Sequence, residues 1–231
     1  MTDHMAVTRR QLIHGSLAAG GFVFLGRLQA ALAAEEAHKW VFDGVTPSLT
    51  AGPFYPLSNK PLRPGTDLNS MQGGRERAKG QLLYVMGQVL NIKGLPVKDV
   101  EVEIWQANAA GRYSHPSDGN PAPLDPGFQG YGATTTDGEG RYRFRTIKPG
   151  PYPVIPGWSR APHIHFQLTG RIDRYITQMW FPDQPLNGQD RLYTALRPSA
   201  QKMVTCQLQE ATGNLEPGAS VALFSMVVAN G

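Results

Sequence analysis

The sequence predicts an all-β domain: two antiparallel sheets packed face to face as a β-sandwich, with long loops and little helix. Three observations lead there. Gly (26) and Pro (19) recur through the 231 residues, so turns are frequent and long helices have little room. From Leu82 onward, short apolar runs alternate with turn residues at the spacing of strands in a sandwich. No stretch keeps a helical period beyond about two turns, and Asp190–Leu196 is the best of a weak set.

The elements follow in order. Leu82–Ile92 reads as the first strand, turned by Lys93-Gly94-Leu95-Pro96. Val100, Val102 and Ile104 then alternate with Glu101 and Glu103, which predicts a strand with one wet face. Asp137-Gly138-Glu139-Gly140 is a turn. The strand after it sets Tyr142, Phe144 and Thr146 against Arg141, Arg143 and Arg145. Further strands are expected at His163–Leu168, Ile176–Phe181, Met203–Leu208 and Val221–Val228. There is no internal repeat, and the length suits one large domain.

Residues 1–33 read as an address, not as part of the domain. Arg9-Arg10 precedes an apolar stretch, Leu17–Leu25, too short and glycine-rich to span a bilayer, and Ala31-Leu32-Ala33 offers a small-x-small cleavage site. The pattern resembles a twin-arginine export signal. It predicts an exported, periplasmic protein with no stable membrane insertion after processing, although an uncleaved anchor or an ordinary secretory signal stays open. Losing these residues drops the formal charge from +4 to +2, and no basic run points to nucleic acid. Residues 34–80 read as an irregular segment that contributes to the pocket, and 81–231 as the β domain. The lone Cys206 cannot form an intrachain disulfide and reads as a small buried residue.

His163-Ile164-His165 carries the chemistry. Residues two apart on a strand share a face, so the two imidazoles stand roughly 6.5 Å apart at their Cα atoms and can lean onto one cation. The spacing alone also fits cupins, zinc or copper sites, or a purely structural pair. Two tyrosines stand nearby, the first in a rigid loop and the second straight after a predicted strand. Tyr152 lies between prolines in Pro149-Gly150-Pro151-Tyr152-Pro153, and Tyr113 follows Ala109-Ala110-Gly111-Arg112. Phenolate is a hard anionic donor suited to Fe(III), while each tyrosine taken singly also fits a half-buried loop aromatic. No Asp or Glu lies close in sequence to the histidine pair, as a facial triad for Fe(II) would need, and cysteines for structural zinc are lacking.

Three stretches in order closely resemble the intradiol ring-cleavage dioxygenases, nearest the protocatechuate 3,4-dioxygenase type. They are Glu103-Ile104-Trp105-Gln106-Ala107-Asn108 through Tyr113, Thr136-Asp137-Gly138 through Pro153, and Arg160-Ala161-Pro162-His163-Ile164-His165-Phe166. The resemblance implies Tyr113, Tyr152, His163 and His165 as ligands of Fe(III), with a small aromatic diol and O2 as substrates. It implies Arg160 and Gln178 beside the substrate ring, Tyr152 as a ligand that leaves and takes a proton, and Gly52-Pro53-Phe54-Tyr55 as a segment closing over the pocket, with Tyr55 lining it. Assembly as a homo-oligomer or with a different subunit is expected. The family's usual Arg-Pro-Ala-His is here Arg160-Ala161-Pro162-His163, with spacing kept. Val154 stands where protocatechuate enzymes commonly have tryptophan, which leaves the ring substituent open. Two alternative readings are a non-catalytic secreted β-sandwich binding module and a periplasmic copper or zinc protein.

Overall fold

The computed structural model describes residues 44–229 apart from 58, 59, 62, 63, 72, 73, 75 and 172. The signal reading of residues 1–33 and the first part of the irregular segment lie outside the described residues. Eleven strands follow: β1 Leu82–Asn91, β2 Glu101–Trp105, β3 Tyr131–Thr135, β4 Arg141–Ile147, β5 Tyr152–Ile155, β6 Trp158–Arg160, β7 His163–Thr169, β8 Arg174–Trp180, β9 Gln207–Glu210, β10 Ser220–Leu223 and β11 Met226–Val228. Helix among the described residues is confined to a 3-10 turn, Asn187–Gln189, and two short helices, Arg191–Thr194 and Pro198–Val204.

One sheet runs β11-β1-β10-β9 with β4 on the other edge of β1. The second runs β3-β2-β7-β8, and β5 and β6 form a separate ribbon. The principal core takes Val85, Val89 and Phe144 from the first sheet and Val102, Ile104, Phe166 and Leu168 from the second.

The purely antiparallel expectation needs correction. β1 pairs in parallel with both β10 and β11, while its pairing with β4 is antiparallel. Parallel neighbours need a long crossover, and well over a hundred residues separate β1 from β10. The run Val221–Val228 also breaks in two. Phe224 N bonds to Met86 O (2.8 Å), and its carbonyl lies where a Cβ on Gly87 would stand, so only glycine admits the crossing.

The strand expected from Met203 begins instead at Gln207. Pro198 opens a helix whose missing N–H costs nothing at that position, and Ala200 and Val204 bury one face of it. Periodicity does not mark strands β3 and β5, whose patterns Gly132 and Pro153 interrupt, nor β6, which is three residues long. The Asp137 turn stands as expected: Gly140 has φ +69°, and the Asp137 carboxylate accepts from the Glu139 and Arg141 amides.

The described part of residues 44–80 is joined to the frame by backbone pairing around Arg145 and by its guanidinium. Arg145 donates to both oxygens of Asp67 (3.0 and 2.9 Å) and forks onto Glu216 (2.7 and 3.0 Å). Hydrogen bonds from Arg145 and Tyr84 pull the Glu216 carboxyl down to about 2. A depressed carboxylate adds stability above its unfolded value that is lost as pH falls through the folded one. Glu216→Gln is therefore expected to melt at a lower temperature than the parent at pH 7, with the gap closing towards pH 2. Thermal melts at the two pH values check this.

Candidate metal and catalytic site

β7 lies inside its sheet, hydrogen-bonded to β2 and β8, and His163 to Leu168 are all buried. The pleat sends Ile164, Phe166 and Leu168 into the core and His163, His165 and Gln167 to the opposite face. That outer face is not wet. Trp105, directly across from His165 on β2, stacks on its ring at 4.9 Å and 8°. On the other side Gln178 of β8 pairs with His165 and sends its Nε2 to Thr50 O (2.8 Å). The chain then turns at Gly52, φ +66°, where a Cβ would press to 3.3 Å from the imidazole. Both the backbone angle and the close approach require glycine there.

The two tyrosines meet because two glycines let their loops nest. A Cβ on Gly111 would fall 2.0 Å from Pro151 O, and one on Gly150 2.4 Å from Ala109 O. The rings of Tyr113 and Tyr152 then stand 5.3 Å apart, edge to face. Phe54 packs against both of them, at 4.7 and 6.0 Å, and lines the cleft that Tyr55 is expected to line. Tyr55 turns instead onto Trp105. A cleft of about 290 Å³ opens beside Tyr113 and Phe54, walled by Trp105, His115 and Tyr131.

His163 Nδ1 lies 2.6 Å from Ala161 O, which assigns its proton there and leaves Nε2 as the lone-pair nitrogen. That Nε2 faces His165 Nε2 at 3.1 Å. Burial, then the Arg160 charge, holds His163 well below the usual imidazole range; burial, His163 and Arg160 do the same for His165. Both are neutral donors. The Tyr113 hydroxyl is buried beside Tyr152 without a well-formed hydrogen bond. Burial pushes both phenols above their ordinary range, with Arg160 opposing, so ionising them calls for a further positive charge in the site.

Arg160 faces Tyr152 across the β5–β6 ribbon and is 3% exposed. Its Nε donates to both oxygens of Asp190 (3.1 and 2.9 Å), Nη2 to Gln178 Oε1 (2.6 Å) and Nη1 to Tyr152 Oη (3.4 Å). Asp190 is fully buried and accepts also from Ala161 N, Trp180 Nε1 and Leu192 N. Sequence reading took Asp190 only as the start of a weak helix. Its position as N-cap before Arg191-Leu192 was the available signal, but the partnership with Arg160 spans 30 residues.

Thus Tyr113, Tyr152, His163, His165, Arg160 and Gln178, scattered over the sequence, come together. No group of three His, Cys, Asp or Glu is found among the described residues, so a cation seated on the histidine pair would complete its donors from the phenols.

A mostly-β frame with such a donor set defines a class, and comparison names it: a family model described as Dioxygenase matches residues 51–227. Over 126 residues the chain is 49% identical to the protocatechuate 3,4-dioxygenase beta chain of Burkholderia cepacia, covering 53% of this chain and 54% of that one. The catechol 1,2-dioxygenase structure from Pseudomonas arvilla C-1 superposes with TM-score 0.61 at 25% identity, over 93% of this chain and 71% of that one. The dioxygenase domain of a dioxygenase carbohydrate-binding fusion from Streptomyces sp. SirexAA-E gives 0.58 at 26% identity, over 80% and 97%. The chain belongs to the intradiol dioxygenase family. It spans about half the length of most of the curated relatives it matches.

Proposed function

We propose that this chain is an exported non-haem Fe(III) dioxygenase that opens catechol-type diols between their hydroxyl carbons, giving muconate-type diacids, on a two-sheet sandwich frame. The observation that carries the reading is the Tyr113 hydroxyl, buried with no well-formed bond, beside two facing imidazole nitrogens. An orphaned buried hydroxyl is costly unless something absent from the protein alone satisfies it. Tyr113, Tyr152, His163 and His165 would hold the iron, which when bound supplies a Lewis-acidic centre for the diol oxygens and makes the ring reactive towards O2.

Tyr152 Oη is the oxygen assigned to take up a proton from the diol, 3.4 Å from the fixed Arg160 charge. Arg160, clamped by Asp190 and Gln178, presents that charge without having to reorganise when negative charge develops on the ring. Gln178 holds the fork on one side and Thr50 on the other, tying the Gly52 segment to the arginine. The export signal at residues 1–33, a periplasmic location and assembly with like or related subunits belong to the same proposal.

The test is a visible spectrum with iron analysis on purified protein, repeated anaerobically with catechol and with protocatechuate. A broad phenolate-to-iron(III) band that shifts with one diol is the expected result. A colourless protein that stays iron-free after reconstitution sinks the reading. Arg160→Lys should keep the iron and the band while lowering kcat about a hundredfold, because lysine keeps the charge but loses the fork. Loss of iron in that variant contradicts the division of roles.

A further inference from the structure

Two residue pairs along the sheet from the Trp105–His165 pair, and so on the same face, β2 and β7 set Glu103 opposite Gln167. The alternation in β2 predicts a wet Glu103, yet it is 2% exposed. Four side chains from three parts of the chain converge on its carboxylate. Tyr55 Oη donates to both oxygens (3.2 and 3.1 Å), Lys60 Nζ lies 2.5 Å away, and Tyr131 Oη and Gln167 Nε2 complete the set. Lys60 also donates to Tyr55 Oη (2.5 Å) and sits over the Tyr55 and Tyr131 rings. Arg174 holds the far end of Gln167 (2.7 Å).

A buried ion pair is a poor stabiliser, since desolvation offsets most of its attraction and an apolar replacement often does as well. What it supplies is a unique geometry. The donors from the irregular segment, Tyr55 and Lys60, belong to the stretch that begins at Gly52 against His165. The Tyr55 ring stands edge-on to Trp105 at 4.9 Å, and Trp105 in turn stacks on His165. Glu103 therefore anchors that stretch while Trp105, its neighbour on the same face of β2, bears on the imidazole.

We infer that Glu103 is a positioning residue: with Lys60 and Tyr55 it latches the Thr50–Tyr55 strap over the site and, through Trp105, fixes the plane of His165. This rests on the function proposed above, but the strap can be read without iron. Glu103→Gln and, as the milder surface-side change, Lys60→Met are compared with the parent by chymotrypsin cleavage after Phe54 in the iron-free protein, the Tyr55–Pro56 bond being closed to the protease. The same variants are then compared by iron content, visible band position and catechol kinetics. Faster cleavage in both variants is expected, with iron retained, the band moved, and KM raised about tenfold, more than kcat falls, the scale on which supporting partners act at metal sites. Unchanged cleavage, or a lower melting temperature with band and KM unmoved, overturns the latch. Faster cleavage in a protein that never takes up iron would sustain the latch and sink the dioxygenase.

Discussion

Tyr113→Phe is expected to strip most of the visible band and take turnover down with it, while the iron-free protein melts at the same temperature or higher. The two effects have one cause. In the protein alone the Tyr113 hydroxyl is buried without a well-formed partner, and such a group costs about 1–3 kcal/mol. Removing it leaves the ring on Phe54 and Tyr152 in place. With iron present the same atom is a ligand, and its loss should exceed the roughly 10–100-fold that losing an outer hydrogen-bond partner costs a metal site. Melting of the apo variant beside its iron content and spectrum separates the roles. A variant that melts lower than the parent when iron-free, yet takes up iron and shows the full band, would mean the hydroxyl serves the fold and not the metal.

Asp190→Asn is expected to lower stability by about 3–5 kcal/mol, the cost of leaving a buried charge without its partner. For a domain of this size that is a fall in melting temperature on the order of 10 °C. Asparagine caps a helix as well as aspartate does, so the Arg191–Thr194 helix keeps its start, and the loss reports on Arg160 together with Ala161 N and Trp180 Nε1, which lose the Oδ2 acceptor. A double variant, Arg160→Met with Asp190→Leu, should recover only part of the stability and none of the turnover, since an apolar pair can replace the ion pair in the fold but leaves Ala161 N, Trp180 Nε1 and Leu192 N without their acceptor. An Asp190→Asn protein that melts with the parent would show that the pair is hydrated.

Most of the strand framework was legible because strand period is local. Glu101–Trp105, Arg141–Ile147 and His163–Thr169 announce themselves by alternation, and Leu82–Asn91 by an apolar run ended at a turn. The strands that periodicity does not mark are short, two of them interrupted by Gly132 and Pro153, and exist because a neighbour offers its edge. The strand expected at Met203–Leu208 takes in the last residues of the Pro198–Val204 helix, because its few apolar residues fit both periods and the buried spacing of Ala200 and Val204 decides between them.

The site divides along the same line. His163 and His165 had to share a face once a strand was granted, Tyr152 stood in a loop stiff enough to present it, and Tyr113 came straight after a predicted strand. Their flanking residues carried the family resemblance, which the comparisons bear out. By itself the sequence determined the strands with strong alternation, the common face of the histidine pair and the family. Only the tertiary structure decided that the outer face of β7 is covered, that Asp190 meets Arg160, that Glu103 is buried beneath Tyr55 and Lys60, and that β1 takes parallel partners. The reason is physical: alternation is set by bonds between adjacent residues, whereas burial of a carboxylate depends on donors 30 or 43 positions away, and residue type alone does not say which will arrive.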